Sequence, residues 1–261
     1  MRHRLIIGIA VMAILGATGW AAAADLPVKA PVYKAAVPVF SWTGWYVGVN
    51  AGYGWSNADF SLTPTGAWPT AGPASIPFLV ATNKTLHPRG FMGGAQAGFN
   101  YQMNQVVWGV EGDFDFYRAS DSFLGGAIPT TSIVSYTQDA KQTWLATLRG
   151  RVGWAVNRWL VYATGGLAVS NWQVNMLLNS TPNFAVFNSD QTRAGWAVGG
   201  GAEVAIDRMW SVKAEYLYTD FGHTTGSSVF LPGGSTFTHD HSVRLVTQAA
   251  RLGLNYRFGG Q

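Results

Sequence analysis

Residues 44–56 read GWYVGVNAGYGWS, and the alternation of side chains in this stretch decides the fold. Every second position is apolar, and these positions are Trp45, Val47, Val49, Ala51, Tyr53 and Trp55. The intervening positions carry Tyr46, Asn50, Ser56 and glycines. Because successive side chains of a β-strand point to opposite faces, the pattern predicts a strand with one apolar and one polar face.

The same alternation recurs in seven later segments, which are 89–102, 106–117, 141–154, 159–170, 193–206, 210–221 and 243–258. Long polar connections separate some of them, at 57–88, 118–140, 171–192 and 222–242. Short turns join the others, at Met103–Gln105, Asn157–Arg158 and Asp207–Met209. Long loops at one end and short turns at the other are typical of outer-membrane barrels, and an even strand number closes the sheet without an edge.

The composition favours a sheet whose apolar face contacts lipid. Charged residues make up 11% of the chain, aromatic residues make up 14%, and there are 32 glycines. An ordinary soluble domain has about a quarter of its residues charged. A soluble lipocalin-like barrel, the alternative, would point its aromatic residues inward and its charges outward. We therefore predict an all-β protein, an eight-stranded antiparallel transmembrane β-barrel of the outer membrane.

The first residues predict export. Arg2, His3 and Arg4 precede an uncharged apolar stretch, and small residues follow it, which is the pattern of a signal peptide over residues 1–23. An N-terminal membrane anchor is the alternative interpretation. Residues 24–41 are rich in proline and alanine and are predicted to form an extended periplasmic leader. Residues 42–261 form the predicted barrel domain. The absence of cysteine excludes a disulfide-stapled secreted domain.

Almost all of the charged residues in the predicted strands fall on the polar face, and ten of them would line the lumen. They are Glu111, Asp113, Asp115, Arg149, Arg151, Glu203, Lys213, Glu215, Arg251 and Arg257. A turn at Asp207–Met209 would place Glu203 opposite Lys213. An eight-stranded barrel has an interior only just wide enough for its own side chains, so we expect these charges to pair and plug the lumen. A permanently open diffusion pore is the alternative.

Tryptophans cluster near the ends of the predicted strands. Trp154, Trp159 and Trp210 lie beside short turns, whereas Trp55, Trp144 and Trp172 lie near long loops. Indole rings favour the level of the lipid headgroups, so two aromatic girdles are expected.

The loops offer one weak candidate for chemistry, the run His239-Asp240-His241-Ser242. Two histidines could bind haemin or a metal, and a histidine beside a serine could serve as base and nucleophile in a lipid-modifying enzyme. No further loop residue stands at a spacing that would complete such a site, and a solvated loop is the preferred interpretation. We predict no catalytic residues, no metal and no cofactor, with His239 and His241 as the only haemin candidates. No nucleic-acid motif is present.

Four segments resemble those of a known family. They are residues 24–27 (ADLP), 42–48 (WTGWYVG), 162–168 (YATGGLA) and 253–258 (GLNYRF). Together they are similar to the outer-membrane immunogenic proteins of alphaproteobacteria, porin-family relatives of the opacity proteins and of the OmpA barrel. The resemblance implies an eight-stranded, surface-exposed barrel in the cell outer membrane of a Gram-negative bacterium. Some relatives are described as haemin binders and others as envelope-integrity or adhesion proteins.

The resemblance also implies how the chain is assembled and what it contacts. Leu252, Leu254, Tyr256 and Phe258 match the C-terminal signal of this class for the barrel-assembly machinery, although three residues follow Phe258. Expected partners are outer-membrane lipid and lipopolysaccharide, that machinery, and a host surface or haemin through the loops. The leading hypothesis is a structural, surface-interacting protein and not an enzyme. A small-solute porin and a haemin-binding protein are the alternatives.

Overall fold

The computed structural model describes residues 40–66, 77, 81–128, 133–180, 184–229 and 237–258. The predicted signal peptide and all but the end of the predicted leader lie outside these residues. These residues contain nine strands: β1 Gly44–Gly66, β2 Thr85–Leu86, β3 Arg89–Met103, β4 Val106–Gly125, β5 Ile133–Val156, β6 Trp159–Ser180, β7 Phe184–Ala205, β8 Trp210–Val229 and β9 Phe237–Arg257. Within the described ranges, no helix is long and apolar enough to span a membrane.

The eight long strands form a closed antiparallel ring, which confirms the predicted fold class. Each long strand pairs with the next along the chain, and β1 also pairs with β9 from Tyr46–Arg257 to Gly66–Phe237. The two-residue strand β2 pairs with β1 at Ala58 and Asp59. Closure leaves the membrane-spanning part of the sheet without an exposed edge, which lipid could not satisfy.

The three predicted short turns are confirmed. Asn104 and Asn157 adopt positive φ values of 55° and 54°, a conformation that asparagine tolerates better than most residues and that tight hairpins require. At the third turn, the carboxylate of Asp207 accepts hydrogen bonds from the backbone N–H groups of Met209 and Trp210, both at 2.7 Å. A local side-chain acceptor thus stabilises this turn, the one of the three short turns without a positive-φ residue.

The predicted long loops are wrong in large part, because most strands continue well beyond the predicted ends. Strand β1 runs on to Gly66, ten residues beyond Ser56. In this continuation the apolar side chains change from the outer to the inner face of the sheet. Trp55 points outward to lipid, whereas Ala58, Phe60 and Leu62 point inward and are buried. A strand that leaves lipid for water must exchange its apolar outer face for a polar one.

The barrel therefore has two parts. The membrane half comprises the strand segments with outward apolar side chains, such as Trp45, which is 65% exposed. The outer half continues the barrel away from the short turns and comprises residues 57–66, 118–125, 133–142, 171–180, 184–193, 222–229 and 237–246. In the outer half, apolar side chains fill the interior, as in a soluble barrel.

One seam interrupts the ladder in the outer half. Strands β7 and β8 pair only between Trp196–Ala205 and Ser211–Asp220, and the described residues show no further pairs above Trp196. Side chains bridge the seam instead. Arg193 of β7 donates to the backbone carbonyl of His223 in β8, and Phe187 of β7 reaches the His241 ring of β9, with ring centres 4.5 Å apart.

The aromatic girdles follow the prediction except at one position. Trp154, Trp159 and Trp210 are exposed beside the short turns, and Trp55 is exposed at the upper border of the membrane half. Trp172, predicted to lie in the upper girdle, is instead only 1% exposed and packs inside the outer half. Trp172 belongs to the outer half, where the apolar side chains occupy the inner face of the sheet, so its side chain points into the barrel.

Candidate functional site

The ten charged residues predicted to line the lumen all point inward and are all buried. They are supplied by strands β4, β5, β7, β8 and β9, so they are brought together only by closure of the barrel. Glycines on the inward face make room for them. A Cβ on Gly109 would lie 2.4 Å from the side-chain oxygen of Asn100 and 2.9 Å from Cγ of Arg151, so no larger residue fits there without a shift.

Arg149 is the first of two arginines that each bind three acids. Its guanidinium donates to Oε1 of Glu111 at 2.9 Å, to Oδ2 of Asp113 at 2.8 Å and to Oε1 of Glu215 at 2.8 Å. Its Nε–H donates to the hydroxyl of Thr147 at 2.8 Å. All guanidinium nitrogens are therefore engaged, which a buried arginine requires.

Arg251 is the second such arginine. Its Nη1 donates to Oδ1 of Asp113 at 2.8 Å and to Asp115, and its Nη2 donates to Glu215. Asp113 and Glu215 thus each bind both arginines. Such a shared arrangement holds strands β4, β5, β8 and β9 together across the lumen.

The third cation of the network is Lys213, and the fourth is Arg151. The register pairs Glu203 with Lys213, as predicted from the turn. However, the Lys213 ammonium donates across the lumen to both carboxylate oxygens of Glu111, at 2.7 and 2.8 Å. Arg151 instead binds Glu203, at 2.8 Å. Sequence spacing placed these residues at one level, but the curvature of the closed sheet decides which of them meet.

Three neutral side chains complete the lower network. Tyr46 donates its hydroxyl proton to Glu111 at 2.7 Å, and its hydroxyl oxygen accepts from Arg151 at 3.1 Å. Glu203 accepts from Ser211 at 2.6 Å and from Asn255 at 2.9 Å. The five carboxylates and four of the five cations therefore form one connected, hydrogen-bonded layer across the barrel.

Arg257 stands apart from this layer. It lies at the short-turn end, where its guanidinium carbon is 4.7 Å from the ring centre of Phe40 and 4.9 Å from that of Trp42. Trp42 is fully buried, and its backbone N–H donates to Gln102 at 2.7 Å. Residues 40–42 thus lie under the barrel, at its lower mouth. Sequence reasoning missed this contact, although an indole just before the first strand was a signal for it.

A neutral polar layer lies above the charged one. The Ser56 hydroxyl lies 3.3 Å from the Tyr117 hydroxyl and 3.0 Å from both the Gln142 carbonyl oxygen and the Thr247 hydroxyl. Gln142 donates in turn to Ser170 at 2.8 Å. These side chains come from five strands and bridge the lumen at the border between the two halves.

The outer half has an apolar core above this layer. Its buried side chains include Phe60, Leu62, Trp172, Val174, Met176, Leu178, Phe187, Val243 and Leu245. Sequence reasoning missed most of this core because residues 171–180 and 237–242 fall in predicted loops. The alternation of residues 172–178 was nevertheless visible, with Trp, Val, Met and Leu at every second position.

Residues 81–83 close the outer end of the described barrel. The carbonyl of Ala81 accepts from the Tyr136 hydroxyl at 2.8 Å, and that of Thr82 accepts from the buried Gln138 amide at 2.6 Å. The Asn83 side chain accepts from the backbone N–H of Leu62 at 2.8 Å. This segment therefore lies across the opening and not above it.

His239 and His241, the haemin candidates, are not in a solvated loop. Both lie in β9 and point into the outer core, where they are buried. The Nε2 atom of His241 lies 2.6 Å from the Ser228 hydroxyl. These side chains lie outside the membrane-spanning segments, and burial lowers the pKa of each imidazole from 6.5 to about 4. In the part of the chain that the structure describes, no three His, Asp or Glu side chains are grouped to hold a metal.

The predicted assembly signal forms a row on the lipid-facing side of β9. Leu252, Leu254 and Phe258 are exposed there, and Tyr256 packs edge-on against Phe258 with ring centres 5.2 Å apart. The backbone N–H of Phe258 donates to the carbonyl of Trp45 at 2.8 Å, which joins the end of β9 to the start of β1.

The chain resembles known proteins over most of its length. A family model of the outer membrane protein beta-barrel domain matches residues 10–258. The chain is 37% identical over 266 residues to the 31 kDa outer-membrane immunogenic protein of Brucella melitensis, covering 96% of this chain and 98% of that protein. It is 32% identical over 257 residues to the 25 kDa outer-membrane immunogenic protein of Brucella abortus, covering 97% of each. Among solved structures, it is similar to the outer membrane protein OprG from Pseudomonas aeruginosa, with 13% identity and a TM-score of 0.44. The match covers 84% of this chain and 97% of OprG.

Proposed function

Since the chain belongs to the outer membrane protein β-barrel domain family and is located in the cell outer membrane, we propose that it is a structural protein with a closed lumen. In this role it neither conducts solutes nor catalyses a reaction. It stabilises the envelope and presents a rigid outer half to the cell's surroundings.

The observation that carries this proposal is the connected charged layer in the membrane half. Arg149 and Arg251 bind Glu111, Asp113, Asp115 and Glu215, and side-chain exposure within these ion pairs is at most 3%. A solute that crossed the lumen would have to separate several buried ion pairs. Breaking one such pair typically costs about 3–5 kcal/mol, so passage through the layer would be slow.

The layers above and below support the same function. Trp42 fills the lower mouth, the Ser56 hydrogen-bond layer lies above the charges, and the apolar core occupies the outer half. A small-solute porin needs a continuous water-filled path. These three layers and the charged layer stand in the way of such a path and therefore favour a closed lumen. The mostly polar outer face of the outer half supports a role in surface contact, and we propose that this half is the antigenic part of the molecule.

The buried position of His239 and His241 weighs against haemin as a ligand. An iron would have to enter between Phe60, Leu62 and Phe187, which pack in the same core. The exposed row of Leu252, Leu254 and Phe258 supports recognition of β9 by the barrel-assembly machinery.

Planar-bilayer recording of the refolded protein tests the closed lumen. We expect the wild type to give no stable openings. The variant Glu111→Ser/Arg149→Ser, which removes two long side chains without changing the net charge, should increase the frequency of openings. Arg208→Ser, at an exposed turn, controls for the loss of an arginine outside the lumen and should behave as the wild type. Stable, porin-sized openings of the wild type would contradict the proposal.

A further inference from the structure

Three basic side chains stand together on the outside of the barrel, at the border between the two halves. The register pairs Arg89 of β3 with Ser120 of β4, and Ser120 with Lys141 of β5, so these residues form one row across three strands. Arg118 lies two residues before Ser120 on the same exposed face of β4. We call Arg89, Arg118, Ser120 and Lys141 the basic cluster.

The geometry of the sheet brings the three cations within reach of one ligand. Neighbouring strands are about 4.8 Å apart, so the backbones of Arg89 and Lys141 are about 10 Å apart with Ser120 between them. Ser120 is small and leaves open space there, while its hydroxyl adds a hydrogen-bond donor. The long side chains of Arg89, Arg118 and Lys141 can therefore converge on a single anionic group.

The cations of the cluster are not bound to the nearby acids, which are Asp121, next to Ser120 in β4, and Asp139, two residues before Lys141 in β5. Among the described residues, none of its three cations forms an ion pair with an acid. Asp121 accepts backbone N–H groups of His87 and Ser122 instead, both within 2.9 Å. On the opposite side of the barrel, the comparable Arg244 is bound to Asp220 at 2.8 Å.

Below the cluster, toward the membrane, lies an aromatic surface. Phe91 and Phe116 each lie two residues from an arginine of the cluster on the same face, and they are 80% and 69% exposed. Trp144 stacks on Phe114 beside them, with ring centres 5.7 Å apart. Aromatic side chains at this level mark the boundary between hydrocarbon and headgroups. The cluster therefore stands at headgroup height.

We propose that the basic cluster binds the phosphate of a phosphorylated glycolipid in the outer leaflet, with its acyl chains against Phe91 and Phe116. Two arginine forks and a lysine match the several oxygens of a phosphate better than the two of a carboxylate. The site is on the outer surface and does not depend on whether the lumen conducts. The basic cluster would give the barrel a specific contact with the headgroups of the surrounding lipid.

Native mass spectrometry of the full chain in a neutral detergent tests this proposal. The probes are bisphosphorylated lipid A, the same lipid with its phosphates removed, and inorganic phosphate alone. We expect the bisphosphorylated lipid to bind, the dephosphorylated lipid to bind much more weakly, and inorganic phosphate not to be retained. Higher salt should weaken binding of the phosphorylated lipid.

Variants locate the site. Arg89→Gln/Arg118→Gln/Lys141→Gln should weaken binding of the bisphosphorylated lipid by about 100-fold, since each basic residue near an anionic surface contributes roughly a factor of five. For a matched comparison, Arg89→Gln/Lys141→Gln should weaken binding clearly more than Arg158→Gln/Arg208→Gln, which removes two charges at the short-turn end.

Three results would overturn the proposal: equal binding of the dephosphorylated lipid, unchanged binding by the triple variant, or equal losses in the two double variants. The different migration of boiled and unboiled samples on gels reports folding of each variant. A failure here would leave the closed lumen unaffected, because bilayer conductance tests that function separately.

Discussion

Replacing Arg149 by methionine is the sharpest test of the buried charged layer. The substitution keeps much of the side chain's length and removes its charge. Glu111, Asp113 and Glu215 each lose a donor at 2.8–2.9 Å. Breaking a buried ion pair by removing one partner typically lowers the free energy of unfolding by about 3–5 kcal/mol.

The remaining contacts of the three acids set where in that range the result should fall. Glu111 keeps Lys213, and both Asp113 and Glu215 keep Arg251. No acid is left without a cation, so the loss should lie near the lower end, at about 3 kcal/mol. The net formal charge of the layer, with five acids and four bases, changes from −1 to −2.

Urea unfolding of the protein from lipid vesicles at pH 7 measures this change. The conservative exposed variant Arg208→Met is the control and should leave the free energy of unfolding within about 0.5 kcal/mol of the wild type. Adding Glu215→Gln to Arg149→Met restores the net charge of the layer to −1. The double-mutant cycle should therefore give a coupling energy of at least about 1 kcal/mol.

A loss of less than about 1 kcal/mol for Arg149→Met would refute the reasoning, because exposed ion pairs contribute no more than that. The carboxylates would then be hydrated, and the lumen would contain water at this level.

Three further predictions concern other layers. Trp42→Ala should destabilise the protein by about 3 kcal/mol and admit brief openings in bilayer recordings; an unchanged thermal midpoint would contradict its role as the lower plug. Because burial lowers the pKa of His239 and His241 from 6.5 to about 4, their stabilisation is complete above pH 6.5 and is lost as the pH falls toward 4. The urea midpoint should therefore fall more steeply over that range in the wild type than in His239→Leu/His241→Leu, and equal slopes would disprove the effect. A Cβ on Gly52 would lie 2.3 Å from the carbonyl of Ala250, whereas one on Gly112 meets nothing closer than 3.7 Å. The difference in gel migration between boiled and unboiled samples, which reports a folded barrel, should therefore be lost in Gly52→Val and kept in Gly112→Val.

The membrane half was predictable because lipid imposes a simple rule on each strand. Trp45, Phe91 and Leu252 must face hydrocarbon, and Arg149 or Glu215 must not, so parity alone assigns each side chain to a face. The turns were equally readable, since Asn104 and Asn157 are residues that tolerate positive φ.

The outer half was not predicted because the rule changes there. Residues 57–66 and 171–180 keep the period of a strand, but their polar side chains face water and their apolar side chains face inward. If the outward side chains are expected to be apolar, as lipid requires, this pattern resembles a polar loop. Trp172 was accordingly assigned to a girdle, and His239 and His241 to solvent, although all three side chains are buried in the outer core.

The sequence by itself determined the closed eight-stranded ring, its orientation toward lipid and the charges in its lumen, because these depend only on which face each side chain takes. Tertiary structure alone decided that Lys213 binds Glu111 and that Trp42 fills the lower mouth. It also decided that Arg89, Arg118 and Lys141 stand together. These contacts depend on the shear and curvature of the closed barrel, which bring together residues that lie far apart along the chain.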